Sequence, residues 1–291
     1  MFDLIDLHTH SHHSDGTVAP RELVALAAVR KVKVLALTDH DSTAGLAEAE
    51  CAARDAGMHF TRGVEITAGW RGQEIHVVGL DIDPANAQLV THLAHLVQLR
   101  RTRVAAIGER LRRSSQFRDI DPVAGVLASA EVPTRTHVAR AIMALGLATT
   151  TQDAFDRWLG RGCKGYVPQE WPDMAAAVAA IRAAGGHAVL AHPHRYKVSS
   201  AVLDALCQQF RDCGGSALEV SLPATSPNDA ARLARLARKH ALAGSAGSDF
   251  HEPGLPWRPL GRFAKLADGI EPLLARLQAW DTLQGKIRRH V

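Results

Sequence analysis

Nine side chains of metal-ligand type occur in this 291-residue chain at recurring places, each at or near the end of an apolar run. His8, His10 and Asp15 follow the first run, and His40 follows the second. Glu65 ends the next and His76 lies in the one after. His192 follows a later run, and Asp249 and His251 follow the last. Imidazole nitrogens and carboxylate oxygens together suit hard-to-borderline divalent ions such as Mn, Fe, Zn or Mg. Singly, each residue has an ordinary explanation. His-x-His is a weak signal, and His76 in Glu-Ile-His-Val-Val suits a buried strand histidine. Asp39 and Asp41 could cap a helix, and Asp15-Gly16 could be only a turn. Jointly, nine such residues at successive strand ends would need nine separate accidents, so a multi-metal site is expected.

The elements that must position them follow from periodicity. Residues 2–7 and 32–37 are nearly continuous apolar runs, the mark of strands covered on both faces. Between them Pro20 opens a helix to about Val29. The pattern predicts helix 43–56, strands 58–64 and 73–80, and then helices 173–184, 200–213 and 226–240 alternating with strands 187–191, 216–220 and 242–246. Alternation of this kind implies an α/β fold with a parallel sheet and helical crossovers. At this length a closed or nearly closed barrel is the natural solution, and its strands deliver their C-terminal ends to one catalytic mouth. Residues 85–165 break the rhythm. Helices are predicted over 85–113, 122–129, 134–146 and 151–159 with no convincing strand, so an all-helical insertion (85–165) between barrel segments 1–84 and 166–291 is expected. Between Gln98 and Arg118 stand seven arginines against one acid, Glu109. They are either a solvated helix face or a basic rim for phosphates. The tail from about 270 to 291 reads as an amphipathic helix with a basic end.

Composition narrows the class. The chain is 46% hydrophobic and 22% charged with a formal net charge of +4, ordinary for a globular enzyme. Cys51, Cys163, Cys207 and Cys213 show no C-x-x-C spacing, so reduced thiols in a cytoplasmic protein are expected. The first residues lack the basic start and apolar core of a signal peptide. No apolar run approaches the roughly 20 residues of a membrane helix, and no obligate protein partner is inferred.

The motifs resemble those of the polymerase-and-histidinol-phosphatase (PHP) family. Asp6-Leu7-His8-Thr9-His10 with Ser14-Asp15-Gly16, and Thr38-Asp39-His40-Asp41, resemble its first two signatures. Gly63-Val64-Glu65 with His76-Val77-Val78-Gly79 resembles the third. Ala191-His192-Pro193 and Gly247-Ser248-Asp249-Phe250-His251 resemble the fourth and the closing one. No ligand position is substituted. The resemblance implies a distorted (β/α)7 barrel holding two or three divalent ions, Mn foremost. His8, His10, Glu65 and Asp249 would hold one ion, and Glu65 would bridge to a second held by His76 and His192. Asp15, His40 and His251 would complete a third, with the division of His192 and His251 between the last two sites left open. Two adjacent cations would acidify a bridging water, held by Glu65 with Asp249 and His194 in support. Asp39 would orient a histidine ligand.

Phosphate-binding candidates are Arg135 and His137 in Pro-Thr-Arg-Thr-His, Lys164 before Gly165-Tyr166, and His194 and Arg195 after His192. Arginine's fork matches phosphate bidentately. The insertion and Gly165-Tyr166-Val167-Pro168 resemble one branch in particular, bacterial phosphatases of nucleoside 3′,5′-bisphosphates whose relatives trim RNA 5′ ends. That implies removal of a 3′-phosphate to leave the 5′-monophosphate. The second phosphate would be gripped by Arg135, Lys164 and His194 beneath the insertion as a lid. A 5′-to-3′ exoribonuclease acting on 5′-phosphorylated RNA, a histidinol-phosphate phosphatase and a non-enzymatic PHP module are the alternatives. An amidohydrolase would share the barrel but usually carries a modified lysine where Glu65 stands.

Overall fold

The computed structural model describes residues 5–255 and 257–278. Seven strands form one sheet in sequence order: β1 (Ile5–Asp6), β2 (Val34–Leu37), β3 (His59–Trp70), β4 (Gln73–Leu80), β5 (His187–Leu190), β6 (Ala217–Ser221) and β7 (Ala243–Ala246). The two edges meet. Leu7 N–H donates to the Ala246 carbonyl at 3.2 Å, Asp249 N–H to that of His8 at 2.8 Å, and His10 N–H to that of Phe250 at 2.9 Å. A parallel bridge joins Thr9 to Phe250. The sheet is thus a nearly closed seven-stranded barrel.

It is not parallel throughout. β1, β2 and β3 pair in parallel, as do β5, β6 and β7, but β4 is antiparallel to both β3 and β5. The cause is local. No helix separates β3 from β4; they are joined through Arg71 and Gly72 at φ 48° and 74°, the paired positive angles of a two-residue hairpin turn. That pairing carries β3 on to Trp70, beyond the expected end at residue 64, so Glu65 sits inside the strand.

The strands obey the two-residue alternation. Val34 and Ala36 join an inner cluster with Ile5, Val78, Val189, Ala217 and Ala243, which fills the barrel. Leu35 and Leu37 face outward into the larger core beneath α1 (Pro20–Val29), α2 (Leu46–Asp55) and the later helices. Those later helices are α7 (Met174–Ala183), α8 (Ser200–Asp212) and α9 (Pro227–Lys239), each capped by a side chain, from Asp173, Ser199 and Ser226.

Between β4 and α7 every described regular element is helical. α3 (Ala87–Arg112) is followed by α4 (Ala124–Ser129), α5 (Arg135–Ala144), α6 (Thr151–Ala154) and a π-type turn over Phe155–Leu159. α3 spans both regions: Leu89, Leu93 and Leu96 belong to the main core. Val104, Ile107 and Leu111 join a separate cluster with Phe117, Val138, Ile142 and Trp158. Of the expected tail helix, the described part is a 3-10 turn, Leu273–Arg276; the remainder lies outside the described residues.

Candidate metal centre and its mouth

All nine ligand-type residues converge at one end of the barrel. His8 and His10, just after β1, bring their Nε2 atoms to 3.1 Å. Glu65 Oε2 lies 3.3 Å from both, and Asp249 Oδ1 lies 3.5 Å and 3.2 Å away. Donor atoms around an ion with bonds of about 2.1 Å stand roughly 3.0–3.4 Å apart in octahedral or tetrahedral arrangement, so these four atoms already have the spacing of a coordination shell. Glu65 turns its other oxygen the opposite way: Oε1 is 3.0 Å from His76 Nδ1 and 3.0 Å from His192 Nε2. A third group comprises His10, Asp15, His40 and His251. There Asp15 Oδ1 is 3.2 Å from His251 Nε2 and 3.7 Å from His40 Nε2. His40 also reaches Glu65, its Nδ1 2.9 Å from Oε2. Glu65 is therefore the shared carboxylate, as its place inside β3 allows.

The donor set fits divalent cations on a further ground. Asp15 Oδ1, His40 Nδ1 and Glu65 Oε2 are buried and make no well-aligned hydrogen bond, although each lies beside a neighbour of the cluster. Buried polar groups are ordinarily satisfied, and lone pairs that crowd together unaligned are what shared cations require. Clustered as they are, these residues could hold several ions.

Supporting contacts fix the ligands. Glu219, inside β6, is the residue that sequence reasoning missed. Its Oε1 lies 2.9 Å from His8 Nδ1 and its Oε2 accepts the His192 backbone N–H at 2.6 Å. The only signal was an acid inside the apolar run Ala217-Leu218-Glu219-Val220. Asp39 does not touch a histidine, contrary to expectation. It accepts Ser11 N–H and the hydroxyls of Ser11 and Ser14, and Ser14 Oγ stands 3.4 Å from His10 Nδ1, so its influence on His10 is indirect. Neither Asp39 nor Asp41 caps α2, whose N-cap is Gly45. Asp41 instead accepts Arg100 Nε at 2.6 Å and Thr67 N–H at 2.8 Å. Gly247 is a steric necessity, since a Cβ there would fall 2.3 Å from that of His8. His192 and Asp249 hold positive φ, 32° and 53°, a conformation costing about 1–2 kcal/mol for a residue with a Cβ.

The cluster balances its charge through histidine. Burial disfavours a charged ring at His10, but hydrogen bonds to Asp249 and Glu65 outweigh it and push the pKa up to about 9. At His76 burial is likewise overcome, by Glu65 and Glu74, and the pKa is pushed up to about 10. At His192 burial prevails over Glu65 and lowers the pKa to about 4. Burial opposes charge on Glu65 and Asp249 too. Neighbouring histidines, with Arg258 and Arg195 beside Asp249, nevertheless hold both carboxyls well below the usual range.

Above the cluster opens a cavity of ≈ 590 Å³. Its lining includes His76, His192, Asp249 and His251 from the barrel and Thr136, Arg140 and Phe155 from the helical segment. Arg195 also lines it, in contact with Asp249. Arg258, 3.1 Å from Asp249 Oδ2, and Arg140, donating to the Asp15 carbonyl at 2.7 Å, were not foreseen. Arg135 lines a smaller adjoining cavity of ≈ 90 Å³ with His40, His76, Glu74, Arg100, Arg103 and Trp171. The other phosphate candidates fall elsewhere. His137 closes a capping box, accepting the Thr134 N–H on Nδ1 at 3.1 Å. Lys164 is exposed and lines neither cavity, and its carbonyl accepts Arg110 Nε. His194 lines neither cavity, but it feels the charges of Arg195, Glu219 and Asp249, and burial with the Arg195 charge lowers its pKa. The arginine run proves largely structural. Arg101 caps α4 through the Leu127 and Ala130 carbonyls, and Arg112 pairs with Glu109 and Asp121. Arg100 and Arg103 turn inward instead, buried against Asp41 and Glu74.

Comparison with known proteins identifies the family. The PHP domain matches residues 6–159. The chain belongs to the PHP family. This PHP protein is 39% identical to the 5′-3′ exoribonuclease Rnm of Escherichia coli K12, over 99% of its own length and 97% of the relative's. It is 38% identical to a 3′,5′-nucleoside bisphosphate phosphatase of Chromobacterium violaceum, over 94% and 96%. A solved structure described as an amidohydrolase from C. violaceum, with bound sulfate and no metal, superposes with a TM-score of 0.89 at 36% identity, covering 95% of this chain and 96% of that one. The chain is a hydrolase of phosphoric esters, built on the PHP barrel.

Proposed function

We propose that this protein is a metal-dependent phosphomonoesterase that removes the 3′-phosphate of nucleoside 3′,5′-bisphosphates, leaving the 5′-monophosphate. The observation that carries the reading is the pairing of two anion-seeking places at one mouth. The histidine–carboxylate cluster, rimmed by Arg195, Arg258 and Arg140, lies beside a second cavity that presents Arg135. A cavity of ≈ 590 Å³ suits a single nucleotide, and the faces of Phe155 and Trp257 are available to a base.

His8, His10, Glu65 and Asp249 would hold one ion; Glu65, His76 and His192 a second; Asp15, His40 and His251, with His10, a third. When bound, divalent ions there supply Lewis-acid polarisation of the phosphoryl group and acidification of water near neutral pH. Imidazole and carboxylate donors suit Mn, with Fe, Zn or Mg as substitutes. Glu219 keeps the His8 proton on Nδ1, so its Nε2 lone pair faces the cluster. Arg195 and Arg258 clamp Asp249 and present guanidinium N–H groups where phosphate oxygens would lie. Thr136, Arg140 and Phe155 bring the helical segment 85–165 over the mouth, which suits a separate lid on a barrel of residues 1–84 and 166–291. Arg135 takes the role of second-phosphate contact.

A 5′-to-3′ exoribonuclease is the second reading. Beyond Arg258 and Leu255 the mouth adjoins a cavity of ≈ 200 Å³ lined by Leu26, Arg30, Phe250 and Pro259, room for a following nucleotide. Among the described residues no helix is long and apolar enough to cross a membrane, and all four cysteines are free, which suits a cytoplasmic enzyme. Product analysis tests the assignment. Adenosine 3′,5′-bisphosphate should yield 5′-AMP and inorganic phosphate; release of 3′-AMP, or turnover confined to 5′-phosphorylated RNA, would overturn it.

A further inference from the structure

The buried Arg103 of α3 has no place in the chemistry so far, and its partner Glu74 has one only through His76. Glu74 lies on β4, two residues before His76, and receives donors from three directions. Arg103 Nη1 of α3 donates to Oε2 at 2.8 Å and Trp171 Nε1 to the same oxygen at 2.9 Å. Arg135 Nη2, from the first turn of α5, donates to Oε1 at 3.1 Å. Arg100 and Arg103 lie over the Trp171 ring at 5.5 Å and 5.6 Å, and Arg135 lies over Phe155 at 5.7 Å. The group therefore ties the β3–β4 hairpin, which carries Glu65 and His76, to the helical segment.

We infer that Glu74 is a positioning residue that sets the preference for substrates with a second phosphate, by holding one edge of the Arg135 fork so that its remaining N–H groups face the mouth. This rests on the bisphosphate reading above. A guanidinium has five N–H donors in a rigid plane. Anchoring one edge on a fixed carboxylate, with the plane laid over Phe155, removes most of the side chain's rotational freedom before substrate arrives. Arg135 is 30% exposed on the side chain, against 8% for Arg103. Arg103 is thus enclosed and serves Glu74, whereas Arg135 is the member that a ligand can reach. The small cavity they share opens beside His40 and His76, placing the arginine next to the reacting end of the site.

Glu74→Gln separates this role from folding. The amide keeps one oxygen. The enclosed Oε2 position receives two donors, from Arg103 and Trp171, so the oxygen should stay there and the NH₂ should take the Oε1 position. Donor then faces donor at Arg135, which is released while the buried contacts persist; His76 Nε2, on the same side at 3.8 Å, stands beyond hydrogen-bond distance and keeps Glu65. The measurement is steady-state kinetics with Mn on adenosine 3′,5′-bisphosphate and on 3′-AMP, which lacks the second phosphate. The expected result is a KM for the bisphosphate raised about tenfold, kcat within about twofold, and both constants for 3′-AMP unchanged. An unchanged or lowered bisphosphate KM overturns the inference, as does an equal loss on both substrates, the mark of a merely structural contact. Wild-type enzyme that treats the two substrates alike would refute the bisphosphate reading itself, and the inference with it.

Discussion

Replacing Glu219 by glutamine tests how the fold prepares the metal centre, because it exchanges one carboxylate oxygen for an amide NH₂ with almost no change in volume. In the wild type Oε1 lies 2.9 Å from His8 Nδ1 and Oε2 accepts the His192 backbone N–H at 2.6 Å. A carboxylate accepts on both sides, so with a metal bound His8 would keep its proton on Nδ1 and offer the Nε2 lone pair to the ion between Glu65 and Asp249. An amide must put its oxygen on one side and its NH₂ on the other. The His192 N–H is a buried main-chain donor that cannot turn away, so the oxygen stays with it and the NH₂ faces His8. Nδ1 must then accept, and the proton moves to Nε2, where it occupies the position that a metal needs. Loss of such an orienting partner typically weakens metal binding by about 10–100-fold, roughly 1.4–2.7 kcal/mol. Calorimetric titration of chelator-treated protein with Mn should show the tightest class of site weakened by that factor, with the circular dichroism spectrum unchanged. Wild-type Mn affinity in Glu219→Gln would refute the tautomer argument.

Arg100→Met strips the partner from Asp41, which is buried and then retains only the Thr67 N–H. The urea unfolding free energy should fall by about 3–5 kcal/mol, and a loss under 1 kcal/mol would show that the pair contributes little. Proton binding at the cluster gives the metal-free protein a pH signature. His10 and His76 have folded pKa values of about 9 and about 10, above the unfolded value of about 6.5. Their stabilisation is therefore complete below about pH 6.5 and is lost as pH rises through 9–10. Tm measured in chelator should decline between pH 7 and 10, and much less with Mn present. A flat profile in chelator would contradict this charge balance.

The sequence displayed the barrel and its ligands because both obey local rules. Apolar runs of four to six residues mark covered strands, and a polar residue just past such a run has one place to go, the mouth. That logic placed His8, His40, His192 and Asp249. It failed where partners are distant. Glu219 is inside a strand, and its meaning comes from His8, 211 residues away. Glu74 looks like the solvent face of an alternating strand, and only the return of α3 and α5 encloses it. The hairpin at Arg71-Gly72 carried no Asn-Gly signal, so the antiparallel pair went unread. The arginine run misled because composition cannot tell a helix's inward turn from its outward one. His137 misled because a histidine at the third helical position serves a capping box as well as it could a phosphate.

On the proposed reading this cluster hydrolyses a nucleotide phosphate ester only with divalent ions in place. The direct measurement is the initial rate of phosphate release from adenosine 3′,5′-bisphosphate by metal-stripped protein as Mn is added. Negligible release is expected without metal, and a rate that rises with Mn until the sites at His8, His76 and Asp15 are filled. The same rate in excess chelator, or none at saturating Mn, would contradict it.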